Sequence, residues 1–96
     1  MSGPALHVEV TKRFRRDYAK LTEALPRIRV ELETVVELLR LRHPLPARYR
    51  DHALKGNLKG LRDCHVRGDV VLLYRVEQDA LVLLLVRIGS HSDLGM

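Results

Sequence analysis

The chain has 96 residues, of which 46% are hydrophobic and 30% are charged, and its formal net charge is +5. This composition excludes a disordered chain, and the length predicts one domain over residues 1–96 with no second core. A single cysteine excludes an internal disulfide, and the longest apolar run, residues 80–86, is too short to cross a bilayer. We therefore expect a cytoplasmic protein that does not bind a membrane.

The first half of the chain carries the pattern of one strand and two helices. Apolar and polar residues alternate over residues 5–10, as in a strand with one buried face. Thr11 can cap a helix that follows directly, in which apolar residues recur at helical spacing. Pro26 suits the first turn of a second helix, which should end near Arg42 because the prolines beyond it cannot continue a helix.

The second half of the chain is predicted to be all strand and turn. Three turns, the first two of which contain glycine, separate four apolar or alternating stretches, at residues 52–55, 60–66, 70–76 and 81–88. Gly89 is expected to stop the last of them. The most economical fold is α+β: a β-α-α unit followed by an antiparallel β-meander. Both helices would pack on one face of a sheet of four or five strands.

Five polar residues converge at one end of this predicted sheet. Successive strands of a meander run in opposite directions, so the start of one strand lies beside the end of the next. The residues brought together in this way are His52, His65, Asp69, Arg87 and His91. Imidazoles can take a proton from a ribose 2′-OH and return one to the leaving 5′ oxygen, while a guanidinium stabilises charge on the phosphate. The set therefore predicts phosphodiester cleavage in RNA.

Each of these residues also has a purely structural interpretation. A histidine at the end of a strand is commonly a hydrogen-bonded surface residue, and Asp69 beside a glycine is ordinary turn chemistry. Arg87 could simply pair with Asp63 or Asp93. The clustering of all five favours the functional interpretation, although strand order and register are open at this point.

Two other site chemistries were considered for the same residues. Two histidines and an aspartate can bind zinc, but the close ligand spacings of known zinc motifs are absent, so we expect no metal and no cofactor. Cys64 precedes His65, and adjacent strand residues point to opposite faces, so a Cys–His nucleophilic pair is not expected.

Positive charge is concentrated between residues 40 and 67. This stretch holds eight Lys or Arg and two Asp, which leaves nine cations and ten anions elsewhere. The first predicted helix is also basic, although a solvated face explains it equally well. A local surplus of this kind indicates a polyanion or an acidic protein as partner.

The stretch DHALKGNLKGLRDCHVRGDVVLLYRV, together with RIGSHSDL further on, resembles the YafQ-like branch of the RelE/ParE superfamily of bacterial type II toxins. The resemblance covers about residues 45–94 and rests on the combined pattern DH, KG, RD-x-H, GD-x-x-LLY and R-x-G-x-H. It implies a ribosome-dependent mRNA endonuclease that cuts the codon in the A site and stops translation.

The same resemblance assigns roles to the five converging residues. It implies that His91 is the proton donor to the leaving group and that Arg87 balances phosphate charge. His52, His65 and Asp69 would handle the 2′-OH proton or hold the phosphate, with no division of roles among them. The agreement with the meander argument strengthens both predictions.

The resemblance also implies partners. These are the ribosome, including 16S rRNA at the A site, the mRNA, and a cognate antitoxin with an acidic, partly disordered arm, but no small-molecule cofactor. The cations expected to contact RNA phosphates are Lys12, Arg13, Arg16, Lys55, Lys59 and Arg62.

Two positions depart from the pattern of similar toxins. Val70 stands where a Trp is common, and Gly95 stands where a Phe is common. Aromatic rings at such places can stack on bases, so their absence could weaken codon preference or activity. Two alternatives therefore stay open: a ParE-like gyrase inhibitor, which needs no acid–base cluster, and a catalytically weakened relative that still binds an antitoxin.

Overall fold

The computed structural model of the chain describes residues 3–96, in which two helices pack on one face of a five-stranded sheet. The helices are α1 (Lys12–Ala24) and α2 (Ile28–Arg40). The strands are β1 (His7–Val10), β2 (His52–Ala53), β3 (Arg62–Arg67), β4 (Val70–Glu77) and β5 (Val82–Ser90). The predicted α+β architecture is confirmed.

The sheet is mixed, with the strand order β1-β5-β4-β3-β2. Strands β2 to β5 form the predicted antiparallel meander. The first strand lies on the far side of β5 and pairs with it in parallel, with His7 opposite Val82. The two longest and most apolar strands, β4 and β5, thereby occupy positions inside the sheet, where both of their edges are hydrogen-bonded.

The core lies between the helices and one face of the sheet. Ile28 and Val35 of α2 are fully buried there against the sheet residues Cys64, Leu72 and Ile88. The last three are opposite one another in the register, with Cys64 facing Leu72 and Leu72 facing Ile88. Because side chains alternate along a strand, their immediate neighbours in sequence point to the other face of the sheet.

Thr11 fixes the start of α1 in two ways. Its Oγ1 accepts a hydrogen bond of 2.9 Å from the amide of Phe14, as predicted for a helix cap. The same hydroxyl donates to the carbonyl oxygen of Val86 in β5, at 2.7 Å. One side chain therefore caps the helix and ties it to the middle of the sheet.

Thr11→Ala is expected to lower the free energy of unfolding by about 1–2 kcal/mol, because the helix loses its cap and Val86 loses a hydrogen bond. The measurement is urea denaturation followed by circular dichroism. Thr34→Ala is the matched control, since the Thr34 hydroxyl is exposed and bonds only within α2. Equal stability of the two variants would contradict the double role of Thr11.

Three element boundaries differ from the sequence prediction. The strand predicted at 52–55 is only two residues long, because the chain turns into a short 3-10 helix at Gly56–Leu58. Helix α2 begins at Ile28 and not at Pro26, and it ends at Arg40. Strand β5 continues through the buried Gly89 to Ser90, so Gly89 does not stop it. Within residues 3–96, no helix has the length and apolar character that crossing a membrane requires.

Candidate active site

The register of the sheet places a row of polar residues on the face opposite the helices. His52 is opposite Asp63, Asp63 is opposite Leu73, and Leu73 is opposite Arg87. Residues directly opposite in neighbouring strands share a face, so this row crosses four strands on one side of the sheet. His65 lies two residues after Asp63 in β3 and therefore projects from the same side.

His91, just beyond the end of β5, lies among these side chains. Its Nε2 is 3.4 Å from Oδ2 of Asp63, and its Nδ1 is 3.4 Å from Oδ1 of Asp69. Its ring meets the ring of His65 edge-on, with 5.2 Å between the centroids. Each ring nitrogen of His91 therefore faces a carboxylate oxygen.

Asp63 is a member of the cluster that the sequence analysis considered only as a partner of Arg87. Its side chain is 1% exposed, and within residues 3–96 neither of its carboxylate oxygens has a hydrogen-bond partner. Burying a carboxylate costs free energy unless a partner is near, and the imidazole of His91 is the group that faces it. The sequence spacing did indicate that Asp63 lies beside the cluster, since Asp63 and His65 are two residues apart in one strand and share a face. How deeply Asp63 is buried depends on the neighbouring strands.

Backbone carbonyl groups fix the tautomers of the other two histidines, His52 and His65. Nδ1 of His52 is 2.7 Å from the carbonyl oxygen of Arg50, and Nδ1 of His65 is 3.0 Å from that of Gly68. A carbonyl oxygen can only accept, so Nδ1 donates in each case. In the neutral rings the lone pair is therefore on Nε2, where it is available as a base.

Arg87 is held by a residue of the first helix. Its Nε and Nη2 donate to the two carboxylate oxygens of Asp17 at 2.9 and 2.8 Å, and the Ile88 amide also donates to Asp17. Asp63 and Asp93 were the ion-pair partners expected from the sequence, but Arg87 pairs with Asp17 instead. Nη1 of Arg87 takes no part in this fork.

The environment of Asp17 shifts its pKa. Burial alone would raise the pKa of this carboxyl, but the hydrogen bonds from Arg87 and Ile88 outweigh burial and lower the pKa below its ordinary value of 3.8. A lowered folded-state pKa adds stability above the unfolded pKa, and this stability is lost as the pH falls through the folded pKa.

Asp17→Asn is therefore expected to lower the free energy of unfolding at neutral pH by about 1–3 kcal/mol, because Arg87 loses its charged partner. The difference between variant and wild type should shrink as the pH falls below about 4, since the wild-type carboxyl is then protonated. Urea denaturation at several pH values measures both the loss of stability and its dependence on pH. Glu37→Gln is the control, because the Glu37–Arg40 pair lies on the surface and should contribute little.

The cations predicted to contact RNA fall into two groups. Five of them are exposed, on α1 or on the segment between β2 and β3: Lys12, Arg13, Arg16, Lys55 and Lys59. The sixth, Arg62, differs from the expectation of a free cation. Its Nε donates to Asp51, which also accepts the hydroxyl of the buried Tyr74, and Arg62 is opposite Tyr74 on the helix-covered face. Arg62 thus anchors the start of β3, turned away from the histidines.

Two further sequence interpretations can be compared with the structure. Cys64 is fully buried, and burial raises the pKa of its thiol to about 12, so it is not a nucleophile near neutral pH, as expected. Val70, which stands where similar toxins often carry a Trp, is buried in the core. This position therefore presents no surface on which a base could stack.

Three of the clustered side chains could also hold a metal ion. Asp63, His65 and His91 each offer one donor atom, and these three atoms lie within 4.8 Å of one another. The ligand spacing of known zinc motifs did not predict this group, because such motifs are local in sequence whereas this group joins two strands of the sheet.

Comparison with known proteins decides the family. Residues 6–96 match the model of a family described as "Bacterial toxin of type II toxin-antitoxin system, YafQ". The chain belongs to the YafQ family of toxins. A "Putative toxin YafQ" of Haemophilus influenzae is 37% identical over 95 residues, covering 95% of this chain and 93% of that protein. The Escherichia coli K12 protein named "mRNA interferase toxin YafQ" is 45% identical over 51 residues, which is 53% of each chain.

Solved structures of two bacterial toxins share the fold. A metal-bound toxin from Helicobacter pylori superposes with a TM-score of 0.86 at 39% identity, covering 93% of this chain and 98% of that one. The toxin in the E. coli DinJ-YafQ toxin–antitoxin complex superposes with a TM-score of 0.78 at 34% identity, covering 94% and 97%. The prediction of a YafQ-like type II toxin is therefore confirmed, and that of an mRNA-cleaving enzyme agrees with the name of the E. coli relative.

Proposed function

We propose that this YafQ-family toxin is an endoribonuclease that cuts mRNA in the ribosomal A site. The observation that supports this most directly is the position of His91, which is 36% exposed and lies between the carboxylates of Asp63 and Asp69 and beside His65. An imidazolium stabilised in this way can donate a proton to a leaving group, while neutral imidazoles nearby can accept one.

The proposed reaction is an internal transfer within the RNA. The 2′ oxygen attacks the adjacent phosphorus, a 2′-O–P bond forms, and the P–O5′ bond breaks. The 2′-OH proton passes to Nε2 of His52 or His65, both of which carry their own proton on Nδ1. His91 protonates the departing 5′ oxygen. The products are a 2′,3′-cyclic phosphate and a 5′-hydroxyl, and DNA, which lacks the 2′-OH, is not a substrate.

The remaining polar residues of this face orient the side chains of His91 and Arg87. Asp63 and Asp69 orient the ring of His91, and Arg87 offers Nη1 to a phosphate oxygen while Asp17 fixes its direction. The guanidinium fork matches phosphate geometry, so charge developing on the phosphorus oxygens is stabilised as the bond breaks.

The surroundings of the site suit a ribosome-bound substrate. The exposed cations of α1 and of the β2–β3 segment would contact rRNA phosphates. We also propose a cognate antitoxin as partner, by analogy with the E. coli toxin that forms a complex with DinJ, and a cytoplasmic location, where ribosomes are.

A translation reaction tests the proposal. Added toxin should arrest synthesis, and primer extension should map cuts at in-frame codons of translated mRNA but not in the same mRNA without ribosomes. A gyrase inhibitor of the ParE type would instead leave translation intact and impair DNA supercoiling. The acid–base cluster around His91 favours the nuclease, and unimpaired translation with no cuts would overturn it.

Lys55→Ala combined with Lys59→Ala should weaken ribosome binding and reduce its salt dependence. Each lost phosphate contact lowers the slope of log affinity against log salt by roughly 0.7–0.9. The measurement is co-sedimentation with ribosomes over a salt series. Arg75→Ala serves as the control, since Arg75 is exposed at the opposite end of the sheet and pairs with Glu77. An unchanged slope in the lysine variant would remove both lysines from the interface.

A further inference from the structure

We propose that a groove bordered by Arg48, Arg50 and Arg67 binds phosphates of the mRNA strand beside the linkage that is cut. The identity of the strand rests on the proposed function, whereas the anion-binding groove does not. The groove has a volume of about 630 Å³ and lies between the first half of helix α2 and the end of strand β3. A space of this size holds a ligand as large as a nucleotide.

The groove forms because the second half of strand β3 has no strand beside it on one edge. Strand β2 is two residues long and pairs only with the first two residues of β3. The 3-10 helix Ala47–Tyr49 contacts β3 as well, and with α2 it supplies the walls of the groove. A bulge after His65 turns Arg67 to the helix side, opposite Val70. The groove therefore reaches from the helix side of β3 to the face that carries the histidines.

The groove has an excess of positive charge. Three guanidinium groups line it, against the single carboxylate of Glu31. Among residues 3–96, Arg48 and Arg50 have no ion-pair partner, and both are exposed. The planar guanidinium group can donate two parallel hydrogen bonds to the oxygens of one phosphate. The lining therefore favours a ligand with phosphate groups.

Arg48 is held in place before any ligand binds. Its guanidinium carbon is 4.7 Å from the centre of the Tyr49 ring, and its Nη2 donates a hydrogen bond of 3.0 Å to the Tyr49 hydroxyl. Tyr49 is itself buried, so its ring is a fixed support. Arg48 therefore loses less side-chain entropy on binding a phosphate than an unsupported surface arginine does.

Glu31 competes with a ligand for Arg67. Its Oε1 is 3.3 Å from Nη1 of Arg67, and the two side chains are 36% and 52% exposed. Exposed ion pairs of this kind contribute little to stability. A phosphate that is also bound by the two other arginines can therefore displace the carboxylate from Arg67.

Residues of the groove also orient the two candidate bases. The carbonyl oxygen of Arg50 accepts from Nδ1 of His52, and that of Gly68 accepts from Nδ1 of His65. Arg50, His65 and Gly68 all line the groove. An RNA strand whose 2′-OH meets either imidazole therefore has the groove directly beside it. This continuity favours the RNA strand over an acidic protein segment as the occupant.

Binding is tested without ribosomes, on a labelled single-stranded RNA hexamer that carries 2′-O-methyl groups and cannot be cut. In fluorescence anisotropy, the double variant Arg48→Gln/Arg67→Gln should bind roughly tenfold more weakly than the wild type. Two lost phosphate contacts should also lower the slope of log affinity against log salt by about 1.4. Arg75→Gln is the control, because Arg75 is exposed at the opposite end of the sheet, and it should bind like the wild type.

Two further variants separate binding from folding. Arg50→Gln should also weaken binding, and its side chain makes no hydrogen bond within residues 3–96, so the fold should be unaffected. Glu31→Gln should bind the hexamer roughly twofold more tightly or better, because Arg67 is then free and the carboxylate is gone. A structural role of these residues would not produce that gain.

The location of the RNA is read from the arginine Nε–H signals in NMR spectra, which should shift for all three arginines of the groove. Shifts confined to the arginines of α1, or equal affinity of the wild type and the double variant, would overturn the groove. If the double variant lost binding of a glutamate-rich peptide but kept that of the hexamer, the occupant would be an acidic protein segment, which would also overturn the proposal.

The strand is identified by single-turnover cleavage on programmed ribosomes. The double variant should cut roughly tenfold more slowly than the wild type, because the strand is misplaced, while co-sedimenting with ribosomes equally well. Weaker ribosome binding with normal cutting at saturation would mean that the arginines contact rRNA, and the assignment to mRNA would be wrong. A wild type that binds the hexamer in the groove but never cuts would refute the nuclease and leave the anion-binding groove standing.

Discussion

His91→Gln is expected to abolish cleavage of ribosome-bound mRNA while leaving the fold intact. Glutamine fills a similar volume but cannot carry a proton to the leaving oxygen, so the rate should fall by about 10²–10⁴-fold. The measurement is a single-turnover cleavage rate on programmed ribosomes. The fold should be retained, because His91 lies after the last strand and its ring is partly exposed. The thermal midpoint should nevertheless fall, because the buried carboxylate of Asp63 loses the imidazole that faces it.

His43→Gln is the matched control for this experiment. His43 is exposed in the segment that follows α2 and takes no part in the cluster, so its substitution should leave both rate and stability unchanged. Wild-type cleavage by His91→Gln would mean that another group donates the proton. Loss of ribosome binding by His91→Gln would mean that the residue acts in docking.

Asp63→Asn is expected to move activity and stability in opposite directions. Asparagine keeps the shape of the side chain but removes the carboxylate that faces and orients the ring of the proton donor His91, so cleavage should slow by about 10²-fold. The same change removes a buried charge without a hydrogen bond, which should raise the free energy of unfolding by about 1 kcal/mol. His91 is 36% exposed, so water can solvate its charge once the carboxylate is gone.

Single-turnover cleavage and urea denaturation of the same preparation separate the two effects. Asp79→Asn is a suitable control, since Asp79 is exposed in the β4–β5 turn and both readouts should stay at wild-type values. If Asp63→Asn lost both stability and activity, Asp63 would be a structural residue whose loss damages the site indirectly.

The sequence was sufficient to predict that the histidines lie at one end of the sheet, because that prediction depends only on the direction of each strand. In a meander, strand starts and ends alternate whatever the exact register, so His52, His65 and His91 had to fall at one end. The buried state of Asp63 could not be predicted in the same way. It depends on which residues of β2 and β4 lie beside it, and those are set by the register of two strand pairs.

Side-chain contacts between elements that are distant in sequence could not be predicted either. Arg87 meets Asp17 because α1 docks along β5, and nothing near either residue in the sequence indicates that pairing. Arg62 was predicted as an RNA contact because charge counts do not show which cations are already paired. In the folded chain its guanidinium is bonded to Asp51, and Asp51 in turn to Tyr74.

The parallel pairing of β1 with β5 has a consequence for how quickly the toxin becomes active. Residues 7–10 must find residues 82–85 across almost the whole chain, and contacts of such high sequence separation slow folding to milliseconds or longer. The strand that completes this closure is also the one that leads into His91. A nascent or refolding chain therefore cannot bring His91 beside Asp63 and His65 until its last strand is in place.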